Sequence, residues 1–181
     1  GTDVAKSAAD LVILDDNFET IVAAIEEGRK IFDNIRKVIV YLLSNTFDEL
    51  LLIGGALVAG LALPLAPLQI LFVNFFTDSF PAMALAFEQG VDEVGAKPRV
   101  LHRTLFDRQV KFLLLAIGAS TSLFLFLLYF FLLRFGFAEE IVRTFIFASF
   151  ATYSLVLAFS VRSLEKSIFS YNPFSNTYLV G

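Results

Sequence analysis

Three carboxylates, Asp48, Glu49 and Asp78, stand inside the most apolar stretch of the chain, with no Lys or Arg near them in sequence. An ionised side chain is costly there unless something positive compensates it. Ser44 and Asp48 are four residues apart, as are Asn45 and Glu49, so they form a polar strip along one broad face of a helix. Asn74, Thr77 and Asp78 follow an i, i+3, i+4 pattern on a second helix. Pro81 has no N–H, so the carbonyl of residue 77 is expected to be left free as a further oxygen ligand. Carboxylate, amide, hydroxyl and carbonyl oxygens suit a hard cation such as Ca2+, Na+ or K+, or a proton carried on the carboxylates. The candidate metal ligands are Glu49, Asn74, Thr77, Asp78, Asn45 and Asp48. Asp48 lies about 100° round the helix from Glu49 and is free to face another partner. Hydrogen bonding across a helical bundle would account for Asn45 or Thr77 alone. It does not account for three acids without a base. Two close acids repel at low dielectric, so ion binding and proton release are expected to be linked.

The elements that hold these groups are membrane-length helices. No charge interrupts the run between Glu49 and Asp78, but Leu63-Pro64-Leu65-Ala66-Pro67 reads as a tight turn, so the carboxylates flank a helical hairpin. Apolar runs predict four spans, Val38 to Leu63, Pro67 to Phe87, Phe112 to Leu133 and Thr144 to Val161. Glu49 and Asp78 each sit 11 residues into their spans, about 16 Å down and near the middle of a core about 30 Å thick. The two helices run in opposite directions, so both carboxylates reach one level and are expected to share an ion. Five Lys/Arg precede Val38, five lie in 88–111 and two in 162–181, against Arg134 and Arg143 in the opposite loops. The positive-inside rule then puts the amino terminus and the carboxyl tail in the cytoplasm.

Ahead of the spans the chain reads as soluble. A short helix is expected over Asp3 to Ala9, then Asp10-Leu11-Val12-Ile13-Leu14 as a buried strand. Asp16 or Asn17 starts the next helix, and with Asp16 as N-cap, Glu19 takes the capping-box position. Apolar residues at helical spacing and the lack of a breaker before Pro64 predict one helix from about Phe18 to Leu61, about 66 Å long. Gly54, Gly55, Ala59 and Gly60 read as a face for close helix packing. His102 reads as a solvated loop residue, and the Phe clusters at 124–137 as facing lipid or neighbouring helices. Arg99, Arg103, Arg108 and Lys111 set topology, and Tyr171-Asn172-Pro173 is a turn.

With 57% hydrophobic residues, 22 Phe and a mean hydropathy of +0.74, the chain is too apolar for an ordinary soluble domain. A soluble phosphatase-like domain fails on this ground. The absence of Cys excludes a disulfide framework and thiolate ligation, hence soft-metal chemistry. Opening on Gly1-Thr2-Asp3 and stopping at Gly181 in a new apolar run, the chain reads as a piece of a longer polypeptide. Membrane lipid is an expected partner and nucleic acid is not.

Gly1-Thr2-Asp3-Val4-Ala5-Lys6-Ser7-Ala8-Ala9-Asp10, Asp15-Asp16-Asn17-Phe18 and Glu27-Gly28-Arg29 closely resemble the end of the phosphorylation domain of type II P-type cation ATPases. Asp33-Asn34-Ile35-Arg36-Lys37, Tyr41-Leu42-Leu43-Ser44, Leu65-Ala66-Pro67-Leu68-Gln69-Ile70-Leu71 and Val73-Asn74-Phe75-Phe76-Thr77-Asp78 resemble the fifth and sixth transmembrane helices of those pumps. The resemblance implies a mostly α, polytopic membrane bundle of four transmembrane helices, helices five to eight, with a short α/β piece of a cytosolic HAD-like domain at the N-terminus.

Under it, 1–30 end the phosphorylation domain and connect to the membrane, and 31–63 are stalk and helix five. Helix six is 67–87, a cytosolic loop 88–111, helix seven 112–133, helix eight 144–161, and 162–181 a cytosolic segment reaching helix nine. The N-terminal remainder of the same pump is the implied partner. ATP and Mg2+ are implied to bind in upstream domains, since this sequence contains no phosphorylated-Asp motif, Gly-Asp-Gly hinge or phosphate-cradling glycine loop.

Glu49, Asn74, Thr77 and Asp78 match positions that bind ions in calcium pumps. The family's Asn in helix five falls at Thr46, with Asn45 one place early, and Asp48 stands where calcium pumps commonly have a small residue. Helix eight offers only Ser149, Thr152, Tyr153 and Ser154, without a carboxylate. The expected function is a share in an ATP-driven transporter of a hard cation, Ca2+ favoured. The alternative is a non-enzymatic channel or ion-binding membrane subunit.

Overall fold

A computed structural model describes residues 2–10, 12–13, 17–88, 104–164, 168–172 and 174–180. Its described residues are helical or irregular, with no strand among them. α1 covers Asp3–Ser7, capped by the Thr2 hydroxyl on the Ala5 N–H. Of the expected strand, Val12 and Ile13 are irregular, and Leu11 and Leu14 lie outside the described residues. A strand needs a partner for its backbone groups, and among the described residues no second extended segment supplies one.

α2 runs unbroken over Phe18–Val58, 41 residues. Its N-cap is Asn17, whose side-chain oxygen accepts from the Glu19 N–H at 3.1 Å; Asp16 lies outside the described residues. The helix stops three residues short of the expected Leu61. Gly60 adopts φ +66°, Leu61 N–H returns to the Ala56 carbonyl and Gly60 N–H to Leu57. This is a Schellman end, and it needs a residue free to enter the left-handed region. Gly60, not Pro64, therefore ends the first span. Gly136, φ +85°, ends the third in the same way.

The second span has three parts, α3 (Pro67–Phe72), a π-helical turn (Val73–Asp78) and α4 (Ser79–Ala86). Pro67 takes the first helical position, where its missing N–H costs nothing, and the Gln69 side chain accepts from the Ala66 N–H. α5 spans Arg108–Arg134 and α6 Glu139–Ser160; a 3-10 turn at Ile168–Ser170 and α7, Thr177–Val180, follow. The four long units are each long and apolar enough to cross a membrane. His102, Arg99 and Arg103 lie outside the described residues, and Arg108 and Lys111 open α5.

Two apolar cores stack along the bundle. One gathers Val40, Tyr41, Ala82, Leu85, Val110, Leu114, Leu157, Ala158 and Val161; the other gathers Leu52, Ala56, Leu65, Val73, Leu125, Tyr129, Val142, Ile146 and Phe150. Between them, every span contributes buried polar groups: Ser44, Asn45 and Asp48 from α2, Thr77 and Asp78 from the π turn, Ser122 from α5 and Ser154 from α6. Of the predicted small-residue face, Gly55 meets a neighbour. A Cβ there would stand 3.0 Å from the Phe126 ring, whereas one at Gly54 would meet open space. Phe124, Phe131, Phe135 and Phe137 point outward.

Candidate functional site

The polar layer divides into two groups, because successive helical residues point about 100° apart. In the first, Asn45 donates its amide to Asp78 Oδ1 at 2.8 Å and to Ser154 Oγ at 2.7 Å, joining the first, second and fourth spans. Ser154 Oγ also lies 3.4 Å from Asp78 Oδ1. The Asn45 amide oxygen is buried and has no hydrogen-bond partner among the described residues. Glu49, half-buried beside them, accepts from the Asn74 amide at 3.3 and 3.4 Å. Asn74 is anchored by a further bond to the Ile70 carbonyl. The arrangement offers two carboxylates, two amides and a hydroxyl within one layer, with the Glu49–Asn74 edge exposed.

The Thr77 carbonyl differs from the sequence expectation. It accepts the Tyr41 hydroxyl, which also meets Ser154 Oγ at 2.8 Å. A carbonyl has two lone pairs, so one stays available beside the bond to Tyr41. The π turn is the larger surprise, because it ends on Asp78 and advances the chain by five residues per hydrogen bond instead of four. It turns Thr77 and Asp78 inward together, and Ser79 covers the loosened turn by donating to the Asn74 carbonyl. The sequence signal for it was a Pro three residues beyond a polar pair, which a reading of Pro81 as a simple helix irregularity does not resolve.

Asp48 belongs to the second group. It is fully buried and faces α5, where the Thr121 and Ser122 hydroxyls donate to its Oδ1 at 2.7 and 2.6 Å. The structure thus brings Asn45 to Asp78 and Glu49 to Asn74, and sets Asp48 apart from both. Among the described residues, no three of His, Cys, Asp and Glu converge on one point, so a cation in the first group would draw on amide, hydroxyl and carbonyl oxygens as well as acids.

At the end of the bundle carrying α7, a polar clamp escaped sequence reading. Arg162 makes a two-pronged pair with Glu88, Nε to Oε2 at 2.7 Å and Nη2 to Oε1 at 3.0 Å, both side chains buried. Asn176 adds a bond to Glu88 Oε2 and Arg162 one to the Asn172 carbonyl. Asn34 on α2 donates to the Ala86 and Glu88 carbonyls, and Arg36 pairs with Asp107, which also caps α5. Burial works against ionisation of Glu88. The bonds from Arg162 and Asn176, with the charges of Arg162 and Lys37, outweigh it and hold the carboxyl below its ordinary value. The residues that form this clamp are 74 positions apart, so no local pattern joins them.

Known proteins are similar to this sequence. The family described as Cation transporting ATPase, C-terminus, matches residues 62–181. The chain is 43% identical over 186 residues to the calcium-transporting ATPase of Bacillus subtilis, covering 100% of this chain and 20% of that protein. It is 50% identical over 102 residues to the P-type sodium-transporting ATPase4 of Toxoplasma gondii, covering 55% of this chain and 8% of that protein. To the potassium-transporting ATPase alpha chain 2 of Rattus norvegicus it is 48% identical over 100 residues, 55% of this chain and 10% of that protein. The chain spans about one fifth of the length of the calcium-transporting relative.

Proposed function

The chain belongs to the cation-transporting ATPase family, and from that premise we propose that it supplies the ion-binding helices of an ATP-driven pump for a hard cation, Ca2+ favoured. The observation that carries this reading is the Asn45–Asp78–Ser154 contact beside Glu49 and Asn74, a polar layer enclosed between two apolar cores. Glu49, Asn74, Thr77, Asp78 and Asn45 are the proposed ligands, bound by their oxygens. Amides and carboxylates together suit Ca2+. Support for Ca2+ over Na+ or K+ comes from coverage: three calcium-transporting relatives align along 97–100% of the chain, the sodium-transporting one along 55% and the potassium-transporting ones along 55–72%.

ATP and Mg2+ act, in this reading, through HAD-like cytosolic domains outside these residues. α2 is the coupler. It extends from Phe18 to Val58 with no break and carries Asn45 and Glu49, so a tilt imposed at its outer end displaces two ligands of a site whose other ligands stay on the second span. Tight and weak ion binding then differ by that displacement. The amino terminus and the segment after α6 lie on the cytoplasmic side.

The test is the ATPase rate of the full-length parent in lipid as Ca2+, Na+, K+ and Mn2+ are varied in turn. Activation by one ion that Glu49→Gln and Asp78→Asn each abolish is the expected outcome. Stimulation unchanged in both variants removes these carboxylates from the site, and a folded parent with no ion-dependent rate supports a channel or ion-binding subunit instead.

A further inference from the structure

We propose that Ser154 of α6 is a positioning residue for the cation site: it sets which way the Asn45 amide faces, so that the amide presents its oxygen and not its NH2 group to the ion. The inference rests on the ion-binding role proposed above for Asn45 and Asp78, and it adds the fourth span to that site. Ser154 and Asn45 are both buried, so bulk water offers neither of them another partner. The two ends of an Asn amide are nearly equal in size, so hydrogen bonds decide between its two orientations.

The direction of every bond around Ser154 is forced from one end. The Thr77 carbonyl has no proton, so the Tyr41 hydroxyl donates to it. That uses the single proton of Tyr41, and the 2.8 Å contact between the two hydroxyls must therefore carry the Ser154 proton toward Tyr41. Asp78 Oδ1, at 3.4 Å, is the poorer acceptor for that proton. Toward Asn45, Ser154 Oγ has lone pairs only, and it accepts one amide N–H at 2.7 Å. The other amide N–H goes to Asp78 Oδ1 at 2.8 Å.

Both N–H groups of Asn45 are then engaged, and its oxygen, unpaired among the described residues, is the atom left to bind a cation. In the reversed orientation that oxygen would stand against Asp78 Oδ1 and against a Ser154 oxygen whose proton lies elsewhere. Two contacts between acceptors would replace two hydrogen bonds, and the NH2 group would take the place of a ligand. Asp78 holds the amide less firmly once an ion draws on its charge. Ser154 is neutral, so it holds the amide equally in the empty and in the loaded site. Its effect on the ion runs through Asn45, and that separates a positioning residue from a ligand.

The experiment is equilibrium binding of radiolabelled Ca2+ to the full-length parent in lipid vesicles without ATP, with thermal unfolding as the folding control. Ser154→Ala is expected to weaken binding about fivefold to tenfold, the loss of one orienting hydrogen bond. Ser154→Thr, which keeps the hydroxyl, is expected to stay within about twofold of the parent. In an Asn45→Ala background, or Asn45→Leu should that fail to fold, Ser154→Ala is expected to change affinity no further, because the group it orients is gone. Full weakening by Ser154→Ala in that background makes Ser154 a ligand in its own right and overturns the proposal. Unchanged affinity in folded Ser154→Ala also overturns it, as does an equal loss in Ser154→Ala and Ser154→Thr. If Glu49→Gln still abolishes binding in those cases, the proposed site stands without this role for Ser154. A folded parent with no saturable Ca2+ binding removes both.

Discussion

Tyr41 illustrates how one side chain sets the shape of the site. Its hydroxyl proton goes to the Thr77 carbonyl and its oxygen meets Ser154, so it ties the loosened turn of the second span to the first and fourth. Tyr41→Phe keeps the ring in its core and removes both polar contacts. It should cost about 1–3 kcal/mol of stability, the usual penalty for leaving buried polar groups unpaired; thermal unfolding of the full-length parent measures it. A loss smaller than Ser154→Ala produces would mean that the hydroxyl of Tyr41 is peripheral. Of the six residues singled out by type and spacing, Asn45 and Asp78 meet directly and Glu49 meets Asn74; the i, i+4 pattern made legible only the polar strip on each helix. The turning of Asp48 to α5 was not legible. Spacing gives the angle between neighbours on a helix but not which helix stands opposite.

At the scale of elements, the glycine ends and the π turn do the positioning. Gly60→Ala places a Cβ in a left-handed backbone conformation and should destabilise the turn by about 1–2 kcal/mol, with no packing clash to add, since nothing lies within 4 Å. Gly55→Leu should destabilise by a different cause, the 3.0 Å approach to Phe126. Comparing the two variants by thermal unfolding, with Phe126→Ala as partner, separates backbone strain from overpacking: only the Gly55 variant should be rescued. That four helices are long and apolar enough to cross a membrane could be read from hydropathy. Their ends shifted by a few residues because a helix stops where caps satisfy its last carbonyls, as Gly60 and Gly136 do, and not where apolar composition runs out.

Across the whole molecule, two apolar cores seal a polar layer, and the Glu88–Arg162 clamp closes one end. Glu88→Gln leaves the buried Arg162 charge without its partner and should weaken docking of the 168–180 segment by about 3–5 kcal/mol, read as lost hydrogen-exchange protection there. The pH dependence has a definite sign. A carboxyl held below its ordinary 4.5 in the folded protein contributes stability that is fully present above that pH and is lost as the pH falls beneath it. Acidification through that range should therefore loosen the segment in the parent, whereas Glu88→Gln, loosened already, should show no further pH-dependent loss. The proposed orientation is open to labelling, since this chain contains no Cys. With the parent made Cys-free elsewhere, Phe135→Cys should react with an impermeant thiol reagent on intact cells, and Ser7→Cys only after permeabilisation; the reverse pattern inverts the topology.

The sequence by itself determined that this chain forms membrane-length helices, that acids stand within the apolar runs without bases near them in sequence, and that the first helix continues far beyond the apolar core. Those facts follow from period, length and charge, which are local. Tertiary structure alone decided that Asp48 and Asp78 belong to different groups, that the Thr77 carbonyl bonds to Tyr41, and that Glu88 pairs with Arg162. Each depends on which side chains face one another across helices far apart in the chain, and that is fixed by packing of two cores around a layer whose polar groups must find partners.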